Sequence, residues 1–401
     1  MSIFQRILRG KVNVNLANDL AKKVNDEVKK MPSINILVAG KTGSGKSTLI
    51  NALFRENIAK TGVGMPVTQH VEKLTKEGVP LTLYDTKGLE LTAEAQKEVL
   101  KSLAHLINIQ KELGHDQEIH LAYYCVNANM SRIEAMEVEI IRALASELPV
   151  VLVVTQSIGQ ESNEFIEYLK ELALPIEGVV PVLAKEYAVS SHQKIPAHGL
   201  QDLIDITLKI IPSKVHQAFI NAQQIDIDRK VEDARRWAKR YIKTSFGVGF
   251  TPIPVSDAAI LVPMQITMLG HITAIFGLSL EKSQIISMLA GVGGTGGATA
   301  IGKYLAGNLL KFIPGVGTIT GGVISGMTAS SLTIALAYSY IEVLKQIARA
   351  EMLGYDMGLN EISKLMGANF NEQLKEVSKM LPDSVKNQLP LWTRSFFVED
   401  Y

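Results

Sequence analysis

Eight consecutive residues, Gly40-Lys-Thr-Gly-Ser-Gly-Lys-Ser47, fit the pattern G-x-x-x-x-G-K-[ST]. Each fixed position has a chemical reason. Gly40, Gly43 and Gly45 let the backbone turn where other residues cannot and bring its N–H groups close to anionic oxygens. Lys46 reaches the outer phosphates of a nucleotide, and the Ser47 hydroxyl is a hard oxygen ligand suited to Mg²⁺. Lys41, Thr42, Gly43, Ser44, Gly45, Lys46, Ser47 and Thr48 are therefore candidate phosphate contacts. An ordinary glycine turn would carry no requirement on its flanks. Here the apolar run Ser33–Ala39, bounded by Pro32 and Gly40, reads as a buried strand, and Leu49–Phe54 continues as a helix. Strand, loop and helix place a helix N-terminus, with its free N–H groups and positive dipole end, at the same anion. The stretch predicts binding of a nucleoside phosphate.

A second constellation follows about forty residues later. The strand around Val79–Asp85 ends in Asp85-x-x-Gly88. A carboxylate there can hold a Mg²⁺-bound water, and the Gly88 N–H can bond a terminal phosphate and sense its loss. In isolation the pattern reads as no more than an Asp-Gly turn; its place at a strand end after the phosphate loop gives it meaning.

Strands are expected at Val71–Thr75, Glu118–Asn127, Pro149–Thr155 and Gly178–Ala184. Helices are expected over Leu91–Gly114, Ser131–Leu148, Asn163–Leu172 and Gly199–Ile211. Alternation of this kind predicts an α/β fold, a mostly parallel sheet covered by helices on both faces. Cys125, inside an apolar strand, reads as buried filler.

The phosphate loop, Asp85–Gly88 and this strand–helix order resemble a translation-factor-class P-loop GTPase domain over about residues 33–211. The wording Gly-Lys-Thr-Gly-Ser-Gly-Lys-Ser-Thr48 is especially similar to septins, immunity-related GTPases and chloroplast-import GTPases. Tyr123–Asn127 followed by Ser131-Arg-Ile-Glu134 resembles bacterial Era-like members. The resemblance implies GTP and GDP as ligands with Mg²⁺ held by Ser47, Thr68 and Asp85, and Lys46, Thr68 and Gly88 as the catalytic set. It also implies base contacts after the fifth and sixth strands, at Thr155 and Gln156 and at Ala184 and Lys185. Two departures stand out. The guanine-reading N-K-x-D or T-K-x-D becomes Thr155-Gln-Ser-Ile158, without its carboxylate; Glu161 is a possible substitute, and an ATPase stays open. Leu89 follows Gly88 where Ras-like enzymes carry a water-orienting glutamine, so the implied hydrolysis is slow until an activating group, a dimer partner or a moving loop completes it.

The remaining sequence has a different character. Of the 401 residues 47% are hydrophobic and 20% charged, with a net charge of +1, so no global basic field argues for nucleic acid. One cysteine argues against a disulfide framework and suits a reducing, cytoplasmic compartment. The basic, apolar start lacks the apolar core and cleavage site of a secretory signal. An N-terminal amphipathic helix (residues 1–31) with Lys22, Lys23, Lys29 and Lys30 has two readings, a membrane-surface helix or one packed on the domain that follows. The expected organisation is that helix, a GTPase domain over 32–212, a connecting helix over 213–245, a hydrophobic glycine-rich helical domain over 246–350, and a C-terminal helix and tail over 351–401.

No Asp, Glu, Lys or Arg lies between Asp257 and Glu281, between Lys282 and Lys303, or between Lys311 and Glu342. A bilayer span needs about 20 such residues. Phe250-Thr-Pro-Ile-Pro and Phe312-Ile-Pro-Gly open two of these runs alike, and Gly317, Gly321, Gly322 and Gly326 supply small residues at close spacing. The runs suit either membrane association or the core of an all-α bundle, and they resemble DUF697, a hydrophobic C-terminal domain that accompanies Era-like GTPases. The basic–aromatic cluster Arg235-Arg236-Trp237 and Lys239-Arg240-Tyr241 reads as an interfacial anchor or as a solvated helix face. The leading expectation is a Mg²⁺-dependent GTPase whose nucleotide state controls a membrane-associated helical domain. The alternative is a non-catalytic, nucleotide-gated scaffold that dimerises through its nucleotide face.

Overall fold

The computed structural model describes residues 14–55, 63–68, 71–86, 93–114, 116–190, 192–246, 258–278, 280–281, 284–285, 288 and 326–379. Gly88, Leu89, the Phe250 and Phe312 openings, Gly317, Gly321, Gly322 and the C-terminal tail lie outside them. The chain forms two compact units. One is Lys29–Asp226; the other joins Met1–Val28 to Ile227–Tyr401. Helix α1, Val14–Lys29, belongs almost wholly to the second.

The first unit starts with β1, Ile34–Ala39, every residue of which is buried. Helix α2, Lys46–Leu53, leaves the loop behind it. Strands β2 (Val63–Pro66), β3 (Val71–Thr75) and β4 (Leu81–Thr86) follow, then α3 (Ala93–Glu112) and β5 (Leu121–Asn127). Helix α4 (Ala135–Ala145), β6 (Val150–Thr155), α5 (Gly159–Glu171) and β7 (Gly178–Val182) complete the main sheet. A ribbon of β8 (Tyr187–Ala188) and β9 (Lys194–Ile195) leads to α6 (Leu200–Ile210) and α7 (His216–Ala222). The sheet order is β2-β3-β4-β1-β5-β6-β7. From β4 to β7 all pairs are parallel, while β2 and β3 form an antiparallel edge. The short β2 and the β8–β9 ribbon are absent from the sequence expectation, because neither has the apolar alternation that marks a longer strand.

Period-2 geometry explains the two layers. Ile34, Ile36 and Val38 of β1 face a core with α2, α6 and α7. Leu37 and Ala39 face the opposite core, built with α3, α4 and α5. A central strand covered on both faces is mostly apolar, as β1, β5 and β6 are.

The single connecting helix expected over 213–245 is interrupted. Between α7 and α8 (Ile227–Phe246) the Gln223 side chain takes the place of helical hydrogen bonding. Its Oε1 accepts the Ile225 and Asp226 N–H groups at 2.7 and 2.8 Å. Gln224 N–H donates to Leu53 O at 3.0 Å, tying the break to the end of α2. Local side-chain bonds of this type compete with helix, and the apolar spacing of the sequence does not reveal them.

The second unit packs α1, α8, α9 (Ala258–Phe276), α10 (Gly326–Met352) and α11 (Leu359–Lys379). Ile227, Val231, Ala234, Ala238 and Ile242 give α8 one buried stripe at helical spacing. Over Met264–Phe276, helix α9 is apolar nearly all round and is buried nearly all round. Leu20 of α1 lies in the same core, so the N-terminal helix packs into this unit. The His271 ring of α9 stacks on Trp237 with centroids 3.8 Å apart, and its Nδ1 lies 3.0 Å from Glu27 Oε2 of α1. Tyr241 stacks on Trp237 and donates to Met264 O at 3.0 Å. These two aromatic residues thus join α8 to α9, while Arg235, Arg236, Lys239 and Arg240 are exposed. Among the described residues no helix is long and apolar enough to cross a membrane.

At the end of the sheet opposite the loop, Asn35 N–H donates to Nδ1 of buried His120 at 3.1 Å. Burial lowers the His120 pKa from its ordinary 6.5. Protonation of Nδ1 would also set two donors against each other. The folded state therefore favours the neutral ring, and the unfolded chain takes up the proton first. Stability from this residue is complete above about pH 6.5 and is lost progressively as pH falls below that. Unfolding midpoints measured from pH 8 to pH 5 are expected to fall on the acid side, and His120→Gln, which keeps an acceptor but cannot titrate, is expected to flatten that fall.

Candidate nucleotide-binding site

The loop after β1 is pressed against its neighbours. Gly40 has φ of 140°, and a Cβ there would stand 2.4 Å from Cys125 O. Only glycine fits. At the helix start Gly45 is left-handed, with φ of 85°. The Cys125 thiol beneath the loop is fully buried, which pushes its pKa up to about 12 and keeps it an inert packing group.

Side chains hold the loop's carbonyl oxygens. Lys46 Nζ donates to Gly40 O at 2.7 Å and to Lys41 O at 2.9 Å. Asn127 Nδ2 donates to Gly43 O at 3.3 Å. The Thr155 hydroxyl donates to Ser44 O at 2.6 Å and has Val126 O at 3.1 Å. With these oxygens engaged, and the Ser44 N–H donated to Lys41 O at 3.1 Å, the other loop N–H groups are left to an anion.

Lys41 extends toward the start of α4, where Glu134 Oε1 and Glu137 Oε2 lie at 2.5 and 3.4 Å. Burial works against its charge, but the two carboxylates win and hold its pKa above the ordinary value. The hydrogen bond from Lys41 in turn lowers the Glu134 pKa. Glu137 also accepts the Glu134 N–H at 3.1 Å, so the loop and the first turn of α4 are one bonded assembly.

Two clefts adjoin the loop. The first, of about 470 Å³, is lined by Thr42, Gly43, Gly45, Lys46, Ser47, Thr48 and Asp85, with Thr86 and Gln156. Asp85 stands opposite Val38 in the β1–β4 register, which carries the carboxylate to the loop. The second cleft, of about 310 Å³, includes Thr155, Gln156, Ala184 and Lys185, and shares Gly45, Thr48 and Gln156 with the first. The sequence-predicted residues thus gather into a phosphate-sized region and an adjoining base-sized region. Lys41, Ser44 and Thr68 line neither cleft. Thr68 lies in the β2–β3 turn, where its N–H donates to Val71 O at 3.2 Å.

The donor set fits Mg²⁺. Ser47 and Asp85 put a hydroxyl and a carboxylate on one cleft, and Mg²⁺ takes few protein oxygens alongside phosphate and water. The neighbouring Thr86 hydroxyl is buried without a hydrogen-bond partner among the described residues, which leaves it bonding capacity at this cleft. Among those residues no cluster of His, Cys, Asp or Glu could hold a metal by itself.

Asn127 and Asn129 are polar residues of this site that sequence reasoning missed. Asn127 Oδ1 accepts Asn129 N–H at 3.0 Å, and Asn129 Nδ2 donates to Gln156 Oε1 at 2.7 Å. Gln156 adopts a left-handed φ of 52°. The only available sign was a pair of amides immediately after a strand end.

Comparison with known proteins agrees with this geometry. Residues 35–157 match the family model described as 50S ribosome-binding GTPase, and residues 216–371 match the domain of unknown function DUF697. The chain carries a P-loop GTPase domain and a DUF697 domain. Septin-14 of Mus musculus is 24% identical over an alignment of 163 residues that covers 35% of this chain and 37% of that protein. Translocase of chloroplast 90 of Arabidopsis thaliana is 33% identical over 118 residues, 27% of this chain and 15% of that one. Magnetosome membrane protein 22 of Magnetospirillum gryphiswaldense is 29% identical over 113 residues, 27% and 56% of the two chains. The GTPase–DUF697 chain therefore spans well under two thirds of each of these relatives.

Thr155 tests the loop's support. Thr155→Val removes the hydroxyl that holds Ser44 O and leaves that buried oxygen unsatisfied. Titration calorimetry with GDP is expected to show affinity lower by about tenfold.

Proposed function

We propose that this chain is a Mg²⁺-dependent GTP hydrolase, cytoplasmic and membrane-associated, whose nucleotide state governs its helical unit. The observation that carries the reading is Lys46 Nζ, seated on two carbonyls of its own loop in a cleft bordered by Ser47 and Asp85. A buried ammonium held by neutral oxygens at hydrogen-bonding distance is poised to exchange them for phosphate oxygens, a stronger charge-assisted partner. Lys46 and the loop N–H groups bind and orient the phosphates. Ser47 and Asp85 hold the metal, with Thr68 joining from the β2–β3 turn, and Gly88 senses the terminal phosphate. When bound, Mg²⁺ supplies charge neutralisation on the phosphate oxygens.

Gln156, Ala184 and Lys185 line the base side, while Thr155 acts there mainly by fixing the loop. The family match supports guanine, since Thr155-Gln-Ser-Ile158 does not spell it. The membrane reading draws on two relatives whose names mention a chloroplast translocase and a magnetosome membrane protein. The uncharged runs from Asp257 to Glu342 add to it. The partner that belongs to this reading is a second copy of this chain, meeting it through the nucleotide face.

Lys46→Ala is expected to weaken GDP binding by about 10- to 100-fold and to remove GTP hydrolysis. Unchanged affinity and turnover would refute the assignment. Sedimentation with anionic liposomes is expected to carry down the protein, and to a different extent with GTP than with GDP; protein left in the supernatant in both states would sink the membrane reading.

Leu89 after Gly88 favours a second reading, a scaffold that binds nucleotide and barely hydrolyses it. Single-turnover rates across a range of protein concentrations separate the two. An enzyme completed by its own dimer accelerates with concentration, and a scaffold stays near zero throughout.

A further inference from the structure

Ile158 occupies the place, three residues after Thr155, where a base-reading carboxylate is expected, and it borders the second cleft as an apolar residue. The cleft nevertheless contains an acid. Glu186, directly after Lys185, is the one carboxylate among its lining residues. Glu161, the acid that sequence proximity suggests, sits exposed in the first turn of α5 and does not line the cleft.

The backbone around Glu186 is fixed at several points. Leu183 and His198 exchange both N–H···O bonds at 3.0 Å, closing the base of the loop. Above them the β8–β9 ribbon pairs Tyr187 with Ile195 and Ala188 with Lys194. Lys194 Nζ lies 2.6 Å from Glu186 Oε1. This pair is more than half exposed on both sides, so it orients the carboxylate without committing it; exposed ion pairs contribute at most about 1 kcal/mol. The bonded amides of Gln156 and Asn129 line the same cleft.

We infer that Glu186 is the guanine-reading carboxylate of this protein, in place of the acid missing at position 158. The inference rests on the guanine-nucleotide reading above. Guanine presents N1–H and the exocyclic N2 amino group side by side, and a carboxylate accepts both in parallel. Adenine presents an acceptor nitrogen and a C–H along the same edge, so the carboxylate meets a like partial charge and gains no hydrogen bond there. Hypoxanthine, with N1–H but no N2 amino group, falls between them.

The test uses the full chain with Mg²⁺ and compares binding of GDP, IDP and ADP by calorimetry. The expected order for the unaltered protein is GDP tightest, then IDP, then ADP. In Glu186→Gln, GDP affinity falls by about tenfold or more, IDP falls less, and ADP does not weaken. Unweakened ADP binding also shows that the loop and its fold are intact. Glu161→Gln keeps the order and affinities of the unaltered protein. If Glu186→Gln keeps the original GDP:IDP:ADP ratios, the assignment of Glu186 is overturned while the guanine reading stands. If the unaltered protein binds ADP as well as GDP, both are overturned.

Discussion

A loop that offers its N–H groups to an anion must dispose of its carbonyl oxygens elsewhere. Four of the five consecutive residues Gly40–Ser44 solve this with side chains from outside or beyond the loop: Lys46 on Gly40 and Lys41, Asn127 on Gly43, Thr155 on Ser44. Two of those holders are permanent parts of the scaffold, at the ends of β5 and β6. Lys46 has a second use. When it turns to phosphate, the Gly40 carbonyl loses the Lys46 ammonium while Lys41 O keeps the Ser44 N–H at 3.1 Å, so part of the gain on binding is spent on leaving a satisfied arrangement. Such a site binds without needing to fold first, and its affinity reflects a difference between two well-bonded states.

The sheet topology delivers these groups to one place. With β1 between β4 and β5, the carboxyl ends of the parallel strands bring Asp85, Asn127 and Thr155 around the loop. Crevices at that position are where open α/β sheets take ligands. Lys41 extends the arrangement sideways to α4 through Glu134 and Glu137, so that displacement of the loop is felt at the helix that follows β5.

The strands buried on both faces, β1, β5 and β6, are readable because continuous apolar runs have few other uses. The same holds for the phosphate loop, whose residue types are dictated by chemistry. The interruption at Gln223 is not readable, because a glutamine that bonds its own backbone looks like one on a solvated helix face. Asn127, Asn129 and Glu186 escape for a related reason: their roles depend on which loop ends converge, and sequence spacing carries no record of that. In the helical unit the uncharged run of α9 is ambiguous by nature, since bilayer and protein interior demand the same composition. Trp237, His271 and Glu27 resolve part of it. Their contacts use residues that would be awkward in lipid to join three helices.

Leu20 in the core of the helical unit has a topological consequence. That unit is discontinuous in the chain, and the GTPase unit is an insertion between its first helix and the rest. A two-ended insert differs from a domain hung on one linker, because any rearrangement at the loop has two covalent exits, one at Val28 and one at Asp226. Severing either exit leaves the units still attached by the other. A helical fragment cut to begin at Ile227 would also lack one of its own helices, so the DUF697 match is an incomplete description of what must fold together.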